Sequence, residues 1–88
     1  RSNRESGFGR YDVMMIPKSK DPRRYPAIIL EFKVRNAGKE DSLEETVQMA
    51  LDQISEKNYD AELYARGFAK EEIRHYGFAF EGKKVLIG

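Results

Sequence analysis

Ala27–Val34 reads AIILEFKV, and these eight residues decide the fold. Ile28, Ile29 and Leu30 suit extended backbone, and the run has the length of a buried strand. A strand that apolar belongs in the middle of a sheet. Glu31 and Lys33 interrupt it two residues apart, so both project from one face, roughly 6.5–7 Å apart along the strand. Burying two charges costs several kcal/mol per ion unless they pair or bind something. Two readings stay open on this stretch alone. One is an ordinary Glu–Lys pair at a partly exposed strand end; the other is a metal-and-lysine site on a rigid β platform.

Upstream, Arg10–Ile16 (RYDVMMI) has strand composition and stops at Pro17. Alternation puts Asp12, Met14 and Ile16 on one face and Tyr11, Val13 and Met15 on the other. Both sets are mostly apolar, so cover on both faces is expected. Lys18–Arg24 (KSKDPRR) is a basic turn around Asp21-Pro22, which returns the chain antiparallel as a strand from about Tyr25 to Val34. Such a hairpin can bring Asp12 beside Glu31 and Lys33, although the sequence leaves the register open. Arg1–Gly9 is polar, holds two glycines and reads as loop or a frayed strand.

Downstream, Arg35–Asp41 is loop and Ser42-x-x-Glu45 is a capping box, with Glu44 adding favourable charge at the helix start. The helix is expected from Leu43 to Asn58, with Leu43, Val47, Ala50, Leu51 and Ile54 as its apolar stripe. Thr46, Gln53 and Lys57 flank that stripe, within reach of the sheet rim, and Glu44, Asp52 and Glu56 face water. Ala61–Arg66 is a second short helix with Gly67 just past its end. Ile73–Phe80 alternates as a strand, Glu81-Gly82 turns, and Lys83–Ile87 returns. The Tyr76, Phe78, Phe80 stripe is expected in the core, and His75, beside Ile73 and Ala79, as a packed structural residue. The order strand, strand, helix, short helix, strand, strand gives an α+β domain, close to an α/β three-layer arrangement, with helices on a mixed sheet.

Eighty-eight residues make one small domain. With no cysteine and one histidine, thiolate and His-rich metal sites are excluded, leaving carboxylates as the metal ligands. No apolar run approaches the roughly 20 residues that span a bilayer and no signal peptide is visible, so a cytoplasmic location is expected. Charge is unevenly spread. Residues 1–40 hold ten basic and five acidic side chains, whereas residues 41–72 hold three and nine. A polyanion is drawn to the first part and repelled by the second. Arg4 and Arg10, ahead of the Asp12 strand, are candidates for phosphate contacts, and Lys18, Lys20, Arg23 and Arg24 form a basic tip.

Asp12, Glu31 and a strand carbonyl would form a hard, all-oxygen site suited to Mg²⁺ or Mn²⁺, which could acidify a water and neutralise charge on a phosphoryl oxygen. Lys33 would hold the water or stabilise that charge. The structural alternative is a cluster of Asp–Lys and Glu–Arg ion pairs.

GRYD at Gly9–Asp12, ILEFKV at Ile29–Val34 and ALDQISEKNY at Ala50–Tyr59 resemble the PD-(D/E)XK nuclease superfamily. More narrowly, the chain resembles the nuclease-type domain found C-terminal to AAA-like ATPase domains in many prokaryotic proteins. The leading SNRESGFGRYD and closing GFAFEGKKVLIG extend the likeness over nearly all of it. The resemblance implies a restriction-endonuclease-like fold, with Asp12 and Glu31 as metal-binding acids, the Phe32 main-chain carbonyl as a further ligand and Lys33 as the catalytic lysine. Gln53 and Tyr59 resemble the Gln and Tyr that some branches carry on the following helix; Gln53 joins the catalytic set and Tyr59 the nucleic-acid-binding one. Tyr11 stands in the place of the family's Pro. The acid that a helix ahead of the first strand usually supplies has no counterpart, with Glu5 the nearest substitute. An N-terminally truncated fragment lacking the first core helix is therefore expected, and a homodimer through the uncovered sheet face becomes an alternative. The expected activity is metal-dependent hydrolysis of nucleic-acid phosphodiester bonds, DNA favoured, as an endo- or exodeoxyribonuclease beside an upstream ATPase. The alternative is an inactive nuclease-like module that binds nucleic acid or protein.

Overall fold

The computed structural model describes residues 2–3, 9–18 and 25–88. Arg4, Glu5, Lys20, Arg23 and Arg24 lie outside them. Among the described residues, a five-stranded mixed sheet carries two helices, an α+β fold consistent with a restriction-endonuclease-like core. Its elements are β1 (Ser2–Asn3), β2 (Arg10–Met15), β3 (Ala27–Val34), α1 (Leu43–Lys57), α2 (Tyr59–Ala65), a 3-10 turn (Lys70–Glu72), β4 (Ile73–Glu81) and β5 (Lys84–Ile87). The strands lie side by side in chain order. β3 is central, antiparallel to β2 and parallel to β4, with the two helices forming the crossover between β3 and β4.

Local chemistry sets each boundary. Ser42 Oγ accepts from the Glu45 N–H and starts α1. The reciprocal half of the capping box is displaced by one residue, because Glu45 Oε1 accepts from the Asp41 N–H. Asn58, in the left-handed region at φ 54°, closes α1 and opens α2 at once, so α2 begins two residues earlier than expected. α2 ends in a Schellman motif: the Gly67 N–H donates to Tyr64 O and the Phe68 N–H to Leu63 O, both at 3.0 Å. Gly67 supplies the positive φ of 98° that this closure requires, and Leu63 and Phe68 are both buried in the core.

Both helices pack on one face of the sheet. Most of that interface is apolar, with a cluster of Met14, Ala27, Ile29, Ile54, Leu63 and Phe68 and with Val47, Ala50 and Ala79 also buried. A smaller part is polar and equally buried: Asp12, Glu31, Lys33, Glu40 and Thr46. The expectation that β2 is covered on both faces is not met, since Tyr11 and Met15 are 44% and 45% exposed. The aromatic stripe on β4 also departs from expectation. Phe78 and Phe80 join Tyr11 and Phe32 in a half-exposed aromatic cluster on the sheet face away from the helices. The physical reason is helix clearance, which the small members of the β4 alternation, Gly77 and Ala79, provide.

Gly77 shows how tight that clearance is. A Cβ there would sit 2.9 Å from the Val47 carbonyl oxygen and 3.1 Å from Ala50 Cβ. Gly77→Ala is therefore expected to push α1 off the sheet and destabilise the domain by about 1–3 kcal/mol, read as a lowered urea midpoint. An unchanged midpoint would mean that α1 yields without loss of packing. Gly77 is the register partner of Glu31, so the same glycine sets how closely α1 passes over the acid.

Candidate active site

Asp12 and Glu31 are register partners on β2 and β3, so the hairpin brings the two acids side by side on the helix-covered face. Asp12 is 1% exposed and Glu31 fully buried. One oxygen of Asp12 is held: Lys57 Nζ donates to Oδ2 at 2.6 Å, and the Tyr59 hydroxyl donates to the same oxygen. Lys57 Nζ also lies 4.0 Å from Glu31 Oε1. Asp12 Oδ1 and both Glu31 carboxylate oxygens are buried and receive no hydrogen bond.

Electrostatics follow from this geometry. Burial drives the Glu31 carboxyl up to about 7; the Asp12 charge adds to the rise, while Lys57 and Arg10 oppose it. Burial alone would lower Lys57, but its hydrogen bond to Asp12 and the nearby Glu31 charge outweigh that and hold the ammonium above the usual lysine range. Two closely spaced acids, three donor-free oxygens and one ammonium make a buried cluster in which carboxylates outnumber the cation. Carboxylate oxygens without donors are the ligand type a hard divalent cation takes, so the residues fit such an ion. Among the described residues, no group of three or more His, Cys, Asp or Glu side chains is placed to hold a metal ion.

Lys33 shares the buried face with Glu31 but turns elsewhere. Its Nζ donates to Glu40 Oε2 at 2.7 Å. Glu40 Oε1 accepts from the Asn36 N–H and the Thr46 hydroxyl, each at 2.9 Å. Burial would raise the Glu40 carboxyl, yet these three donors together bring it below the ordinary range. Arg10 lies across from Lys33 in the β2–β3 register and contributes to the field at Glu31. Gln53 is half-buried one helical turn before Lys57. The Phe32 side chain belongs to the aromatic cluster on the opposite face. His75 is half-buried on the helix-covered face, with Nε2 2.7 Å from Asp60 Oδ1.

Two residues of this site carry no role in the sequence reading. Lys57 was legible as a flank residue of α1, in line with Thr46 and Gln53, but nothing in its spacing showed it ending at Asp12. Glu40 gave no signal, because an acid in a polar loop reads as solvated. Beside the acids, though not lined by them, an open groove of about 640 Å³ gathers Arg10, Lys33, Arg35 and Lys39 against the single acid Glu40. No helix among the described residues is long and apolar enough to cross a membrane.

Comparison with curated proteins and with solved structures gave no match. The family model of the PD-(D/E)XK nuclease superfamily matches residues 1–88, which include the paired acids of β2 and β3 and the E-x-K sequence of the central strand. The chain belongs to the PD-(D/E)XK nuclease superfamily.

Proposed function

We propose that this domain is a metal-dependent nuclease that hydrolyses phosphodiester bonds of DNA, with Asp12 and Glu31 holding Mg²⁺ or Mn²⁺. The observation that carries this reading is the trio of buried carboxylate oxygens without a donor, Asp12 Oδ1, Glu31 Oε1 and Glu31 Oε2. Uncompensated, such burial is unfavourable, and a divalent cation removes the penalty. The Phe32 main-chain carbonyl, between the acid and the lysine of E-x-K, is the next candidate ligand. A bound cation supplies positive charge against the negative charge that develops on a phosphoryl oxygen.

The protein's own groups do the rest. Lys57 and Tyr59 fix Asp12 by one oxygen and leave the other buried without a donor. In the reaction a water oxygen bonds to phosphorus, the ester P–O bond breaks, and the water's proton ends on the leaving oxygen. The groove lined by Arg10, Arg35 and Lys39 is a ready path for a phosphate backbone, and such contacts position without reading sequence. Either Lys33 or Lys57 brings an ammonium to this region. Gln53 lies one turn from Lys57 and would orient substrate or water. Arg4, outside the described residues, is a further candidate for a phosphate contact, and an upstream ATPase would feed the substrate.

The test is a cleavage screen on plasmid and labelled oligonucleotides, with Mg²⁺ or Mn²⁺ and with EDTA, beside Asp12→Ala. Cleavage that needs the ion and is lost in a folded Asp12→Ala is the expected result. Equal binding of DNA in EDTA, with no cleavage under any ion, would favour a non-catalytic nucleic-acid-binding module.

A further inference from the structure

We propose that Glu40 is the positioning residue for Lys33, holding its ammonium at the wall of the basic groove where an incoming phosphate meets it. The proposal rests on the metal-dependent nuclease reading and names the residue that places the lysine of E-x-K. Glu40 is 2% exposed, and its oxygens are tied to different elements. Oε2 accepts from Lys33 Nζ of β3 at 2.7 Å. Oε1 accepts from the Thr46 hydroxyl of α1 and from the Asn36 N–H, each at 2.9 Å. The main-chain oxygen accepts from Arg35 Nε at 3.0 Å. A carboxylate fixed on so many sides is a rigid anchor. Lys33 needs one, because a flexible four-carbon stem spreads its charge over many positions unless something holds it.

The groove gives this placement its meaning. Lys33 and Glu40 both line it, together with Arg10, Arg35 and Lys39. Lys33 also stands two positions from Glu31 on the same buried face of β3. For phosphate binding alone, a carboxylate among four cations is a liability, since it weakens the field that draws a polyanion. Glu40 nevertheless stays charged: burial would raise its carboxyl, yet its three donors keep it below the ordinary range. What the carboxylate supplies in return is a fixed position for Lys33, and misplacement by about 1 Å can cost about a hundredfold in rate. Affinity and turnover therefore pull in opposite directions at this one residue.

That opposition gives the test. A labelled DNA oligonucleotide is cleaved at saturating Mn²⁺ by wild type, Glu40→Gln, Thr46→Val and Thr46→Ser, each checked for folding by circular dichroism. Affinity for the oligonucleotide is measured in EDTA by fluorescence anisotropy, and affinity for Mn²⁺ by calorimetry. Glu40→Gln is expected to bind the oligonucleotide at least about threefold more tightly and to turn over at least about tenfold more slowly. Thr46→Val keeps the Glu40 charge but removes one of its anchors, so kcat should fall while oligonucleotide affinity holds. It also decides the matter where Glu40→Gln, which leaves a buried ammonium unpaired, does not fold. Thr46→Ser retains the hydroxyl and should recover most of the lost rate. A purely structural Glu40 predicts wild-type kcat in every folded variant, and that result overturns the proposal. So does a fall in kcat matched by lost Mn²⁺ affinity, which would locate the effect at Asp12 and Glu31. Absence of ion-dependent cleavage by folded wild type instead overturns the nuclease reading, and the positioning role with it.

Discussion

Glu31→Gln is expected to reduce cleavage by about a thousandfold or more and, in the same protein, to stabilise the metal-free fold above neutral pH. The two effects share one cause. Glu31 is fully buried and neither of its oxygens receives a hydrogen bond, which raises its carboxyl from 4.5 to about 7. Between those values the folded chain holds a proton that the unfolded chain has released. The metal-free protein therefore loses stability as pH rises from about 4.5 to 7, with the full loss, about 3 kcal/mol, present above that. Gln at this position has no proton to lose and escapes the penalty, but it offers a cation a far weaker ligand. Urea midpoints in EDTA at pH 5 and pH 8 measure this directly. The gap between variant and wild type should widen toward pH 8, and Mn²⁺ should close it by stabilising wild type alone. A Glu31→Gln variant less stable than wild type at pH 8 in EDTA would mean that the carboxylate is satisfied when ionised, contrary to the geometry.

The order of elements was legible because each carries its own local signal. AIILEFKV is too apolar for anything but a central strand, Ser42 and Gly67 mark the two helix ends, and Glu81-Gly82 turns between β4 and β5. Which face the helices take was not legible. Alternation sorts Ile73, His75, Gly77 and Ala79 from Arg74, Tyr76, Phe78 and Phe80, but hydrophobicity alone favours the aromatic set as the buried one. The close approach of α1 reverses this, because Val47 and Ala50 need the room that Gly77 leaves. Packing distance, a tertiary quantity, decided the question.

The site divides in the same way. That Asp12 could stand beside Glu31 followed from a hairpin whose turn lies between them, and the one-to-one register of β2 and β3 places them so. The partners of the two lysines depend instead on where α1 crosses the sheet and on how the Asn36–Glu40 loop folds back under it. Neither is encoded in strand periodicity. Only Phe32 separates Glu31 from Lys33 along β3, yet their side chains enter different networks, one with Asp12 and Lys57, the other with Glu40 and Thr46.

That second network gives the other large effect. Lys33→Met is expected to destabilise the domain by about 3–5 kcal/mol, the loss that follows when one partner of a buried ion pair is removed. The pair is buried on both sides, with Lys33 and Glu40 side chains 8% and 3% exposed, so solvent screens it little. Without the ammonium, Glu40 keeps its bonds from Asn36 and Thr46 but loses the donor that contributes most to holding its carboxyl below the ordinary range. Its stabilising contribution is present above about pH 4.5 and is lost as pH falls through the lowered folded value. Combining Lys33→Met with Glu40→Gln removes both charges while leaving acceptor and donor groups for Asn36 and Thr46. Most of the lost stability should therefore return. A double-mutant cycle by urea unfolding measures the coupling. A single Lys33→Met variant less than about 1 kcal/mol below wild type, the range of an exposed pair, would show that the Lys33–Glu40 bond does not hold the β3–α1 junction together.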